Sequence, residues 1–347
     1  MWRTFQVLML TAIAVAVCAQ PASAASPCPD WPFTSPAKSV FKKVTVPSIV
    51  TGSEQAEYAG FLLRPKKIAK GKKLPGVVLL HGRGGNYCGL WWAARLLAAH
   101  GYIALVVSMD PGMDVTQASD VADVAARSSV SFLRGHDDKY RRFIKRDDLG
   151  MVGHSQGSMG VSRAQSDVAH VKAIVGMDNL RAYGYDDPGG IGCAVHGTLP
   201  VIPKVPGLGI GSETGCGPRT DKLAGYHAWR ALAPGGGPVP ARAPLPTMEV
   251  VLANSNHPSF GGGGAHTVTH RTQLKASGYY MRAWFDRWLK NNHAATARLV
   301  DPTPMGVPID NLLSAKTPVN PMLNQAAFHS AAYLPGVIDC VDLRSCL

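Results

Sequence analysis

Short apolar runs recur along the chain between about residues 75 and 257, and each ends in or before a small or polar residue. Their short length and continuous hydrophobicity are typical of strands that are buried on both faces of a sheet. The predicted strands are GVVLL (76–80), YIALVVSM (102–109), DLGMVGHS (148–155), VKAIVGMD (171–178), VPGLGIGSE (205–213) and TMEVVLANSNH (247–257).

Between these runs, apolar residues recur at the three- and four-residue spacing of a helix that buries one face. The predicted helices are GLWWAARLLAAHG (89–101), the segment 114–135, a helix that starts at Gln156, DKLAGYHAWRAL (221–232) and LKASGYYMRAWFDRWLKNN (274–292). Strands and helices that alternate in this way predict an α/β fold with a mostly parallel central sheet and helices on both faces.

Two segments with alternating polarity, 40–47 and 58–65, precede this region and predict an antiparallel pair at the edge of the sheet. The Gly- and Pro-rich stretches between predicted elements are interpreted as loops rather than linkers, and no internal repeat is present. We therefore expect a single domain over residues 25–347, with a core at about 40–292 and a C-terminal extension at 293–347.

Residues 1–24 have the pattern of a secretory signal peptide. Arg3 precedes an apolar run, and Ala22-Ser23-Ala24 has the small residues of a cleavage site. We expect cleavage near Ala24 and a mature protein that is secreted or periplasmic. No apolar run reaches the roughly 20 residues that a membrane-spanning helix needs, so no stable span is expected.

The cysteines left after the signal peptide are even in number, which predicts up to three disulfides in an exported chain. They are Cys28, Cys88, Cys193, Cys216, Cys340 and Cys346. Two pairings are considered from proximity, Cys340 with Cys346 and Cys193 with Cys216. The histidines lack metal-ligand spacing, so neither a metal site nor a cofactor is expected.

The chain has 347 residues and a formal net charge of +12, with Lys and Arg spread along its length. One local cluster, RPKKIAKGKK at 64–73, lies between two predicted strands and is interpreted as a solvated loop. Because no basic stripe with aromatics on a known module is present, nucleic acid is not an expected partner. The excess charge would favour an anionic surface or substrate by long-range attraction. Separately, the protein is expected to be a monomer.

The predicted strand 148–155 ends in Gly153-His154-Ser155-Gln156-Gly157, where a strand gives way to a helix. A sharp strand-to-helix turn lifts a serine hydroxyl clear of the sheet, and it requires small residues two positions before and after the serine. The helix N-terminus beneath it favours negative charge. Ser155 is therefore the predicted nucleophile.

Acyl transfer also needs two hydrogen-bond donors aimed at the developing oxyanion. The backbone N–H of Gln156, directly after the serine, is one candidate. The other is the N–H of Arg83, because the glycines of LLHGRGGNYCG (79–89) let the backbone approach a substrate closely. His81 and His154 are interpreted as packing residues, since they come too early in the chain to be the base.

The base is expected among the histidines that follow the last predicted strand. His257 is favoured over His266 because it follows that strand directly. Two carboxylates end neighbouring strands, Asp178 after AIVGM and Glu213 after GLGIGS. Either would orient the histidine and stabilise its charged form, and spacing alone leaves the two nearly even.

These motifs resemble the α/β-hydrolase superfamily. More narrowly, they are similar to the group that contains platelet-activating-factor acetylhydrolases, chlorophyllases and cutinase-like polyester hydrolases. GHSQGSMG resembles the nucleophile turn of that group, and NHPSF resembles its histidine segment. AIVGMDNL resembles the acid segment of the acetylhydrolases and chlorophyllases, which implies Asp178, whereas the polyester hydrolases would imply Glu213 or a neighbour.

The resemblance covers roughly residues 40–292 and implies an α/β-hydrolase fold. It implies a secreted serine hydrolase that cleaves carboxylic esters through Ser155, His257, Asp178 and an acyl-enzyme, on a small-molecule or lipid-like substrate. Two alternatives would use the same triad. One is a polyester depolymerase, for which a shallow, exposed aromatic cleft is expected, and the other is a peptidase or acyltransferase.

Overall fold

The computed structural model describes most of the chain after the predicted signal peptide. The described residues are 25–51, 55–109, 115–135, 141–178, 180, 201–214, 224–231, 243–261, 267–314, 330–340 and 343–347. Cys193, Cys216 and His266 lie outside the described residues, as do residues 1–24.

Strands and helices alternate through the central part of the described chain. The strands are β1 (Ser39–Pro47), β2 (Glu57–Pro65), β3 (Leu74–Leu80), β4 (Ile103–Val107), β5 (Ile144–His154), β6 (Val171–Met177), β7 (Gly207–Thr214), β8 (Thr247–Asn256), β9 (Ala331–Leu334) and β10 (Ile338–Cys340). The helices are α1 (Trp91–Ala99), α2 (Val115–Arg134), α3 (Gln156–Ala164), α4 (Ala224–Arg230), α5 (Val268–Trp288), α6 (Thr296–Leu299), α7 (Ile309–Leu312) and α8 (Leu343–Cys346).

Within the described residues, all ten strands join one sheet in the order β1-β2-β4-β3-β5-β6-β7-β8-β9-β10. The six central strands, from β4 to β8 in this order, run parallel. β1, β2 and β4 pair antiparallel at one side, and β8, β9 and β10 pair antiparallel at the other. The predicted α/β class and mostly parallel sheet are therefore confirmed.

Helices cover both faces of this sheet, because successive side chains of a strand point to opposite faces. Val77 and Leu79 of β3 join the apolar layer under α1 and α5. Val78 and Leu80 join the layer under α2 and α3. The sheet is thus packed between two layers of helices. The loops lie at the two ends of the parallel strands.

Two elements differ from the sequence prediction. α5 begins at Val268 rather than at residue 274, because the Thr267 hydroxyl accepts a hydrogen bond from the His270 N–H (3.1 Å) and caps the helix. The Pro- and Asn-rich tail contributes β9 and β10, which lengthen the sheet beside β8. Neither short strand has a periodic pattern long enough to predict.

The structure contains the disulfides Cys28–Cys88 and Cys340–Cys346, with Cα–Cα distances of 5.3 Å and 6.4 Å. The second pair agrees with the sequence expectation, whereas the first joins residues 60 positions apart and was not anticipated. None of the helices in the described ranges is both long enough and apolar enough to cross a bilayer.

Candidate active site

The predicted functional residues lie at the carboxyl ends of the parallel strands. Ser155, Asp178 and His257 each follow the last residue of a strand, β5, β6 and β8 respectively. The loop that holds Arg83 follows β3. Because these four strands run parallel, their carboxyl ends meet at the same edge, and ligands of open α/β sheets bind outside such an edge.

Ser155 occupies a strained turn between β5 and α3. Its backbone angles are φ 52° and ψ −116°, in a region that residues with a side chain rarely adopt. A Cβ added at Gly153 would lie 2.1 Å from the Gly157 carbonyl oxygen, and one added at Gly157 would lie 2.2 Å from the Leu80 oxygen. Both glycines are therefore required for the turn, and Ser155 is the one partly exposed residue between positions 149 and 162.

The two predicted oxyanion donors lie on either side of Ser155. Gln156 is the first residue of α3, where backbone N–H groups point out of the helix end. Arg83 is exposed in a turn after Gly82. A Cβ added at Gly82 would lie only 3.0 Å from the Ser155 Cβ, so the loop backbone packs directly against the serine. The absence of a side chain at Gly82 is what permits this approach.

Asp178 and His257 are hydrogen-bonded to each other. His257 Nδ1 donates to Asp178 Oδ2, and the Asp178 side chain is completely buried. The other oxygen, Oδ1, accepts from the Ser212 backbone N–H (3.0 Å) and from the Ser212 hydroxyl (2.6 Å). Asp178 therefore holds the tautomer of His257 with the proton on Nδ1, and Ser212 fixes the orientation of Asp178.

The turn that carries His257 is fixed by its neighbours. The Ser259 hydroxyl donates to Asn256 Oδ1 (2.8 Å) and accepts from the Asn256 N–H (3.0 Å). The Ser259 carbonyl accepts from Nε2 of His270 on α5 (2.8 Å). The Phe260 carbonyl accepts from the indole N–H of Trp92 on α1 (3.1 Å). Two helices thus hold the turn in place, and His257 keeps 22% of its side chain exposed.

His154 links the serine turn to the His257 turn. Its Nε2–H donates to the His257 carbonyl (3.0 Å), and the two rings lie 4.9 Å apart. Burial, together with the neighbouring His257, lowers the pKa of His154 to about 4. His154 is therefore neutral at pH 7, and it does more than pack, because its hydrogen bond positions the main chain of His257.

His81 has a similar role in the loop that carries Arg83. Its Nε2 accepts a hydrogen bond from the Met109 N–H (2.8 Å), so in the neutral ring Nδ1 donates to the Gly82 carbonyl (2.6 Å). Burial lowers the pKa of His81, which favours this neutral form. The loop conformation beside Ser155 is thereby fixed from β3 to the end of β4.

Glu213 is also buried, but its carboxylate is used within the scaffold. Oε2 accepts from the Asn254 N–H on β8 (2.9 Å), and Oε1 accepts from the Ser314 hydroxyl (2.7 Å). Of the two predicted acids, Asp178 is the one whose hydrogen bond to His257 is observed.

Ser212 was not among the residues singled out from the sequence, although it is a hydroxyl residue that directly follows the apolar part of β7, GLGIG. That signal is weak, because serine also occurs in strands without any functional contact. Among the described residues, no group of three or more His, Cys, Asp or Glu side chains is arranged to hold a metal ion.

A scan against models of protein families finds no match. A search of curated proteins also finds no significantly similar sequence.

Proposed function

We propose that this chain is an exported serine ester hydrolase with an α/β-hydrolase fold. The observation that carries the proposal is the hydrogen bond between the buried Asp178 and the partly exposed His257, at the carboxyl ends of the strands where Ser155 occupies a strained turn. The chain order Ser155, Asp178, His257 is the order in which this superfamily places its triad. The strand-to-helix turn with glycines two positions before and after the serine supports the same assignment.

In the proposed reaction, Ser155 Oγ attacks the carbonyl carbon of an ester while His257 Nε2 takes the hydroxyl proton. Asp178 stabilises the resulting imidazolium through Nδ1–H. The backbone N–H groups of Arg83 and Gln156 stabilise the oxyanion of the tetrahedral intermediate. The intermediate collapses, and the leaving alcohol receives the proton from His257. Water then attacks the acyl-enzyme by the same steps and releases the acid and the free serine.

Covalent labelling of the serine, combined with turnover, tests this function. A fluorophosphonate probe is expected to label the protein at Ser155, as mapped by peptide mass spectrometry. p-Nitrophenyl esters of increasing acyl length are expected to be cleaved, with loss of about 10⁶-fold in kcat for Ser155→Ala. A folded wild type that neither labels nor turns over any ester of the series contradicts the function.

The same assay separates the alternatives. A peptidase would also cleave matched p-nitroanilides, which an esterase leaves nearly intact, and an acyltransferase would pass the acyl group to an added alcohol in preference to water. For a polyester depolymerase, an exposed aromatic cleft is expected, but Trp91 and Trp92 beside the Arg83 loop are buried in the core. These two aromatic side chains therefore do not form an exposed cleft.

A further inference from the structure

A group of exposed cations lies at the amino ends of the parallel strands, at the end of the sheet opposite the candidate active site. We call it the basic face. Its members are Lys38, Lys66, Lys67, Lys70, Lys72, Lys73 and Arg142, all exposed to solvent. Residues 66–73 lead into the first residue of β3, so they lie at the amino ends of the parallel strands. The seven residues of β3 separate the two edges by about 20 Å at 3.3 Å per residue.

Three segments distant in sequence are brought together in this face. The Lys66 N–H donates to the Lys38 carbonyl (2.9 Å), which joins the end of β2 to the start of β1. Leu74 pairs with Ile144, the first residue of β5, so Lys73 lies next to the residues that lead from Arg142 into β5. The fold therefore adds Lys38 and Arg142 to the basic cluster of the sequence at 64–73.

The loop at the centre of the face projects from the body. Lys72 N–H donates to the Ala69 carbonyl (3.0 Å) and closes a turn at Gly71, whose φ is +75°. A Cβ at Gly71 would meet nothing within 4 Å. The lysines are thus presented on a convex surface rather than inside a groove.

Within the described residues, none of the seven cations forms an ion pair with a carboxylate. The nearest acidic residues on β5 pair elsewhere, Asp148 with Lys172 (2.5 Å) and Asp147 with His170 (2.6 Å). Asp137 and Asp138 lie outside the described residues. The basic face therefore keeps a strong positive potential that a partner can use.

We propose that the basic face docks the protein on an anionic lipid surface and leaves the candidate active site on the far side. Each Lys or Arg near an anionic bilayer contributes about 1 kcal/mol of attraction. None of the exposed large apolar residues of the described chain lies within the 66–73 loop, so the attraction of this loop for a surface is electrostatic. A convex face suits a flat array of headgroups better than a linear polyanion, which binds best along a groove.

Vesicle binding at low ionic strength tests this docking. The full mature chain is titrated with vesicles of phosphatidylcholine alone and of phosphatidylcholine mixed equally with phosphatidylglycerol, and bound protein is measured by sedimentation. We expect binding only to the anionic vesicles and a strong reduction at high salt. Lys67→Gln/Lys70→Gln is expected to weaken partitioning by about 25-fold, which is about fivefold for each lysine.

The matched control removes two charges elsewhere. Arg271→Gln/Lys275→Gln changes two exposed cations in the first part of α5, near the carboxyl ends of the strands. This variant is expected to bind the vesicles as the wild type does. Ser155→Ala is also expected to bind normally, which keeps the docking separate from the proposed catalysis. Equal weakening by the two charge pairs overturns the proposal. So does equal binding to neutral vesicles, or capture by heparin or DNA without capture by anionic vesicles.

Discussion

Two buried carboxylates at the ends of neighbouring strands have different partners. Asp178 follows β6, and its backbone is in the left-handed region with φ 56°. Glu213 is still within β7, one residue before the strand ends. Asp178 contacts a histidine on a partly exposed turn, whereas Glu213 contacts a backbone N–H and a buried hydroxyl.

The difference shows that position at a strand end does not by itself assign a role to an acid. Asp178 leaves the strand, and one of its oxygens reaches the His257 turn while the other is held by Ser212. Glu213 stays within β7, at a register irregularity between Ser212 and Thr214, and its carboxylate ties β7 to β8 through the Asn254 N–H and to the segment after α7 through Ser314. The direction of the backbone, more than the choice of residue, separates a candidate catalytic acid from a structural one.

Among the substitutions that test this contrast between the two acids, Asp178→Asn has the largest expected effect on kcat. The amide cannot stabilise the imidazolium, and it favours the wrong histidine tautomer, so kcat is expected to fall about 10⁴-fold with little change in folding. Glu213→Gln keeps the shape of the other side chain and is expected to retain activity within about tenfold. Turnover of a p-nitrophenyl ester, with thermal unfolding as the folding control, measures both.

The reverse ranking, with Glu213→Gln the more damaging to kcat in a folded protein, would make Glu213 the acid. It would also remove the main support for the proposed triad.

A smaller effect is expected from Ser212→Ala, which tests Ser212 as a positioning residue. Asp178 would lose the hydroxyl donor and keep the Ser212 N–H. A hydrogen bond to a charged group contributes about 1.5–3 kcal/mol, so a loss of roughly tenfold or more in kcat is expected, with KM nearly unchanged.

The pH profile distinguishes positioning from a general loss of structure in this variant. A less stabilised Asp178 carboxylate holds the histidine proton more strongly, so the acidic limb of kcat/KM should move to higher pH. An unchanged limb together with a lowered unfolding temperature would leave Ser212 with a structural role only.

The parts of the fold that follow local patterns were predictable from the sequence. Period and hydrophobicity located the central strands, and the Gly-x-Ser-x-Gly pattern predicted the turn whose geometry is now observed. The choice between Asp178 and Glu213 was not predictable from spacing, because it depends on which way each carboxylate points. The Cys28–Cys88 disulfide was not predictable either, because it depends on how the residues around Cys28 pack against a segment 60 positions further along the chain.

The interactions of His154 show a similar limit. A histidine in the middle of the serine motif was interpreted as packing, since its place in the chain is too early for a base. Its hydrogen bond to the His257 carbonyl joins residues 103 positions apart, and no local pattern reports such a contact.

The smallest effect on activity is expected from Ser314→Ala, the counterpart of Ser212→Ala at the other carboxylate. Each substitution removes one hydroxyl that donates to a buried acid. Because Glu213 ties strands together and Asp178 contacts His257, Ser314→Ala should lower the free energy of unfolding by about 1–3 kcal/mol, measured in urea, and leave kcat within about twofold. A Ser314→Ala protein of normal stability but strongly reduced kcat would mean that Glu213 acts on the site, and the contrast between the two acids would fail.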